Sequence, residues 1–157
     1  MPALPSTLLL AALALLLLAA AVGDIRRREI ANGLNGAIAL LAIPYWAAIG
    51  LTPWPEMAMQ AGVALLVLGA FALLFHFGWM GGGDVKMIAA LALWLPAREV
   101  LQLLVTMSLA GGALTIAMLI RARSARSSDT IEVPYGVAIA FGGFWVLAEP
   151  ILNHFAR

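Results

Sequence analysis

Charged residues divide the chain into long uncharged stretches, at 1–23, 30–55, 57–83, 87–97, 100–120 and 133–148. Most of these hold the roughly 20 apolar residues that an α-helix needs to cross a hydrocarbon core about 30 Å thick. A first span is expected from Pro2 to Val22 and a second from about Leu34 to Leu51, with Pro44 placed to kink it. Thr52-Pro53-Trp54-Pro55 should then turn the chain, with Trp54 suited to the headgroup belt. The third span is expected over Met57 to Trp79, the fifth over Val100 to Ile120 and the sixth over Val133 to Leu152.

Between the third and fifth lies Gly81-Gly82-Gly83-Asp84-Val85-Lys86, followed by an apolar run from Met87 to Leu95 that Pro96 interrupts. A helix from Val85 to Pro96 would be only about 18 Å long at about 1.5 Å per residue, so it either crosses as a short helix or re-enters. Charge decides between the two. With six crossings and the N-terminus outside, Arg26, Arg27, Arg28, Lys86, Arg121, Arg123 and Arg126 all face the cytoplasm, and only Arg98 and Arg157 stay outside. A re-entrant piece would split these clusters.

The pattern therefore predicts an all-α integral membrane protein of six transmembrane helices, the fourth short and extended by interfacial turns, in a single domain over 1–157. A signal peptide is the rival reading of the first segment, because Ala19-Ala20-Ala21 offers small residues for cleavage. That segment lacks a basic region ahead of it, and the positive cluster follows the apolar run, which favours a retained helix.

Composition agrees: at 64% hydrophobic and 11% charged residues, a soluble enzyme is excluded. The net charge of +1 conceals basic residues gathered in short connections, which argues against nucleic-acid binding. With no cysteine, disulfides, thiolate zinc sites and thiol nucleophiles are excluded too. Carboxylates, hydroxyls and two histidines remain.

His76, one turn before the glycine loop, reads as a structural residue that could also hydrogen-bond near a site, and His154 as inert. The two fall on opposite faces, and no metal or other cofactor is expected. Glu149 reads as an interface residue, and Asp129 and Glu132 as part of a polar cytoplasmic loop. Gly111-Gly112 and Gly142-Gly143 offer either close helix packing or a lateral opening. The methionines read as lipid-facing or core filler.

Of three aspartates, Asp24 and Asp84 stand at the cytoplasmic ends of the first and fourth helices. Singly, each reads well as a solvated helix-end charge, Asp84 being favoured at a helix N-terminus. Together they say more, since the topology returns both to one face and three glycines ahead of Asp84 allow close backbone approach. Two carboxylates that meet would share a proton, giving a base to activate water and an acid for the leaving amine. This is the aspartic protease arrangement, and its titration belongs to the pair.

Gly81-x-Gly83-Asp84 with Val85-Lys86 resembles the signature of the GxGD intramembrane aspartic peptidases, and within them the type IV prepilin peptidases. Asp24-Ile25-Arg26-Arg27-Arg28-Glu29-Ile30-Ala31-Asn32 is similar to that family's first aspartate motif, with Ala31 where proline is usual. Val133-Pro134-Tyr135-Gly136-Val137-Ala138 resembles its Pro-Tyr-Gly segment. The resemblance implies Asp24 and Asp84 as a catalytic dyad, supported or joined in substrate binding by Gly81, Gly83, Lys86, Asn32, Pro134, Tyr135 and Gly136.

Lacking paired Cys-x-x-Cys motifs, the chain resembles the compact, peptidase-only form associated with Flp-type (tight-adherence) pili. The resemblance implies a bacterial inner-membrane enzyme that needs no cofactor. Its partner would be a prepilin or pilin-like substrate with a short basic cytoplasmic leader, cut after a small residue ahead of a hydrophobic helix. Arg26, Arg27 and Arg28 would repel such a leader and read as orientation and lipid-binding charges. A small proton- or ion-coupled transporter using the same acids, or a non-catalytic assembly subunit, stand as alternatives. Oligomeric state is left open.

Overall fold

The computed structural model describes residues 4–125 and 133–155, with side chains undescribed at 124–125 and 149–155. Arg126, Asp129, Glu132 and Arg157 thus lie outside the described residues, as do the side chains of Glu149 and His154. The described residues form six α-helices: α1 (Leu4–Arg27), α2 (Asn32–Ala48), α3 (Ala58–His76), α4 (Gly82–Ala92), α5 (Ala97–Ala125) and α6 (Tyr135–Phe155). Three stretches, Leu4–Arg27, Pro53–His76 and Ala97–Arg123, are long and apolar enough to cross a membrane. Their outward faces carry Leu15, Leu66, Leu109 and Ile116 in the open, an apolar exterior that suits lipid.

Local chemistry sets the boundaries. α1 is built of Leu and Ala, strong helix formers, and closes at Arg28, whose backbone takes the left-handed conformation (φ 55°) that ends many helices. Pro96 and Pro134 precede α5 and α6, where a missing N–H and a fixed φ cost a helix nothing. Pro53–Met57 makes a wide turn into α3, with Trp54 extended and exposed.

α4 is the short helix that the pattern predicts, and its burial goes beyond the prediction. Val85 and every residue from Met87 to Ala92 are buried, because α4 packs against α2, α3 and α6 at once. Eleven residues span only about 16 Å. Its C-terminal end therefore stops inside the bundle, where the carbonyl of Leu93 accepts hydrogen bonds from Trp46 Nε1 (2.7 Å) and Gln60 Nε2 (3.2 Å). Trp94 Nε1 in turn donates to the Ile38 carbonyl (2.9 Å), and its ring stacks on Tyr45 with centroids 4.8 Å apart.

The far side of the bundle is α5 packed on α6. A Cβ on Gly142 would stand 3.1 Å from Leu103 Cδ1 and 3.2 Å from Met107 Cβ, and one on Gly111 would stand 3.1 Å from the Tyr135 ring. Later α5 residues thus meet earlier α6 residues, and the pair is antiparallel. Of the two uses open to these glycines, Gly111, Gly142 and Gly143 serve close packing. α5 starts from the far end of α4 and returns Arg121 and Arg123 to the end at which α6 begins. The chain thus runs through the bundle at α4, alongside α2, and does not turn back to the end from which α4 started.

Gly142→Val should drive α5 and α6 apart and cost about 1–3 kcal/mol. Gly112→Val, where nothing lies within 4 Å, should leave stability nearly unchanged. Thermal unfolding of the two purified variants in the same detergent checks the contrast.

Candidate active site

The loop after α1, the start of α2 and the start of α4 enclose a cleft of about 450 Å³. Asp24 and Asp84 both line it, with Asn32, Gly81, Gly83 and Lys86. Six of the nine residues singled out in the sequence are thus brought into one space. Pro134, Tyr135 and Gly136 are not among its lining. They stand behind Asp24 at the start of α6, and Tyr135 rests on Gly111 of α5.

Each glycine there answers a specific crowding. A Cβ on Gly136 would lie 2.8 Å from Asp24 Oδ2, and one on Gly83 would lie 3.2 Å from the Ile30 carbonyl oxygen. Gly81 is the residue capping α4, and the Asp84 carboxylate reaches back to accept its N–H, the reciprocal half of a capping box. A side chain on Gly81 would meet that carboxylate at 3.0 Å.

The polar neighbours are tied across the chain. Lys86 Nζ donates to Asn32 Oδ1 (2.7 Å), and Asn35 Nδ2 donates to the Gly83 carbonyl (2.9 Å). Both bonds pin α2 to α4 beside the carboxylates. Ala31 holds φ −60°, the value a proline ring would impose, so its departure from the family pattern leaves the loop geometry intact.

The two aspartates differ in setting. Asp24 is 5% exposed, which removes the reading of it as a solvated helix-end charge. The amides of Gly136 and Val137 and the charge of Arg28 face it, yet its Oδ2 has no hydrogen-bond partner among the described residues. Asp84 precedes the apolar run of α4 that begins at Val85. Burial first, and the negative charge of Asp24 second, hold its carboxyl up at about 6 against the opposing pull of the Gly81 amide. That electrostatic coupling is the mark of two acids in one site.

Three residues of the site were missed by sequence reasoning. Arg28 lines the cleft and acts on Asp24, beyond the orientation role expected of the basic cluster. Glu29 lines the same cleft. Asn35 is 4% exposed, and its signal was a polar side chain inside an otherwise apolar span. His76 is exposed, with its ring edge-on to Phe77, and is not part of the cleft lining. Among the described residues no cluster of three or more His, Cys, Asp or Glu could hold a metal.

A model of the type IV leader peptidase family matches residues 11–116, a stretch that includes both Asp24 and Asp84 and stops short of Pro134. Among curated proteins the chain is similar to leader peptidase HopD of Salmonella typhimurium, 37% identical over 93 residues. That alignment covers 58% of this chain and 57% of the relative, so the match spans little more than half the relative's length. No solved structure matches the chain.

Because folded Asp84 holds its proton more tightly than the ordinary value of 3.8, the fold gains fully from the protonated group below pH 3.8. That contribution is lost as pH rises through about 6. Asp84→Asn, a mimic of the protonated acid, should therefore raise the thermal midpoint by a few degrees at pH 8. At pH 4.5 the gap from wild type should shrink toward zero, which differential scanning fluorimetry can read across the range.

Proposed function

The chain belongs to the type IV leader peptidase family, and from that premise we propose that it is a membrane aspartic endopeptidase that removes the leader peptide of type IV prepilins or pilin-like proteins. Asp24 and Asp84 are its dyad. The observation that carries this reading is that both acids line one cleft and one raises the proton affinity of the other.

One carboxylate, ionised, takes a proton from water as the water oxygen attacks the scissile carbonyl carbon. The other, protonated, gives its proton to the leaving nitrogen as the C–N bond breaks, and the pair is left with one proton, as it began. The group near 6 suits this exchange close to neutral pH, and the titration belongs to the pair. Gly136 and Val137 amides offer positive partial charge to Asp24, while the Lys86–Asn32 bond holds the loop opposite. No metal enters the chemistry.

The whole chain acts as one domain with six crossings in the bacterial inner membrane. Its N-terminus lies outside and its cleft faces the cytoplasm, because Arg26 to Arg28, Lys86, Arg121 and Arg123 then share the positive side. Flp-type prepilins are the substrates proposed for it. Lipid contacts the apolar exterior.

Co-expression with a candidate prepilin tests this through gel mobility of the substrate. Asp24→Asn and Asp84→Asn should each slow leader removal about 10²–10⁴-fold with the fold retained, and the double variant should lose little more. Cleavage by the wild type should survive chelators. Trimming by both single variants would remove the dyad, and a substrate left whole by the wild type across several pilins would favour an assembly subunit.

A further inference from the structure

A second cavity, of about 590 Å³, lies between α2, α3 and α4. Gly36 and Ala39 of α2, Ala61 and Ala64 of α3, and Ala89 and Ala90 of α4 line it. Asn32 and Lys86 belong to its wall as well as to the acidic cleft, so the two spaces adjoin at the Lys86–Asn32 bond. We propose that this groove seats the first turns of the substrate's apolar helix, directly after the scissile bond. The inference rests on the peptidase reading above and adds where the substrate's membrane segment is held.

Two independent features point to that occupant. Small side chains on three facing helices let a fourth helix approach closely in lipid, where packing rather than the hydrophobic effect drives association. The second is Asn35, which lines the groove and is 4% exposed. Its Nδ2 is committed to the Gly83 carbonyl, which fixes the amide's orientation, and its Oδ1 has no partner among the described residues.

A buried acceptor without a donor is costly to leave unmet. A helix that begins just past a cleaved bond brings the complementary need. Its first four N–H groups have no partner within the helix, and lipid offers none. Asn35 can accept one of them at the mouth of the groove while Gly83, its other partner, lines the cleft. Beyond Asn32, Asn35 and the positive Lys86 the groove wall is apolar, so a basic leader finds no counter-charge there and is left to the acidic cleft.

The chain's lack of cysteine permits a direct test. Leu65→Cys on the groove wall and Ile116→Cys on the exposed face of α5 are each combined with Asp84→Asn, and co-expressed with a prepilin carrying one cysteine in the first helical turn after its cleavage point. Oxidative cross-linking to the prepilin is expected from Leu65→Cys and not from Ile116→Cys. In an otherwise wild-type chain, Ala61→Leu should raise KM for the full prepilin about tenfold with kcat little changed. A peptide that ends a few residues past the bond should be cut equally by both proteins.

Equal cross-linking at the two positions, or an Ala61→Leu effect of the same size on peptide and prepilin, overturns the groove assignment. So does cross-linking of Leu65→Cys to a second copy of this chain in place of the prepilin, which marks the groove as a self-interface. A wild type that cuts neither prepilin nor peptide overturns the peptidase reading itself. A wild type that cuts both, with groove variants that behave as wild type, overturns the groove alone.

Discussion

A helix that stops inside a protein leaves four N–H groups at one end and four carbonyls at the other without partners, and lipid supplies none. α4 stops in this way: at its start the Asp84 carboxylate accepts the Gly81 N–H, and at its end the Leu93 carbonyl accepts from Trp46 and Gln60, while further bonds from α2 fix its register. Asn35 and Trp46 of α2 are eleven residues apart, about 16 Å, and the carbonyls they meet, Gly83 and Leu93, are ten apart, about 15 Å. α2 thus runs parallel to α4 and carries a donor at each end of it. The pairing fixes the register of the two helices, and the register sets the height at which Asp84 enters the cleft.

Asp24 arrives by a different route. It stands in the last turn of α1, and the left-handed backbone at Arg28 turns the chain back so that Ile30 lies against Gly83. α6 then begins behind it, with its first amides aimed at the carboxylate and Gly136 leaving room for Oδ2. Helix N-termini favour negative charge. One acid is therefore held by the start of α6, and the other is itself part of the start of α4. Two helix beginnings meet two carboxylates, which lowers the cost of keeping both in a half-buried space.

Much of this was legible beforehand. Six helices, a short fourth, and Asp24 and Asp84 on one face all came from the spacing of charges. Asn32, Lys86 and the glycines came from a family pattern. Burial was not legible. An uncharged stretch reads alike whether it faces lipid or neighbours, and nothing in Met87 to Leu91 announces that this helix is enclosed on three sides. Asn35 went unassigned, and Arg28 was given only an orientation and lipid-binding role, because their places in the site depend on a partner 48 residues away or on a backbone conformation unusual for arginine. Pro134-Tyr135-Gly136 was recognised as a unit, but its place behind Asp24 required the α5–α6 packing.

The junction between cleft and groove also bears on where a substrate can be cut. A peptide bond within a helix has its carbonyl hydrogen-bonded four residues on and its backbone sheathed by side chains, so attack by water requires an extended segment. The polar cleft has partners for extended backbone, and the apolar groove has one spare acceptor, Asn35, suited to a helix start. A chain lying across the Lys86–Asn32 bond is therefore pressed to be extended on one side and helical on the other. On the proposed reading, the position of the cut is set by where the substrate's own helix begins rather than by a side-chain pocket, which would let one compact site process several leaders of differing sequence.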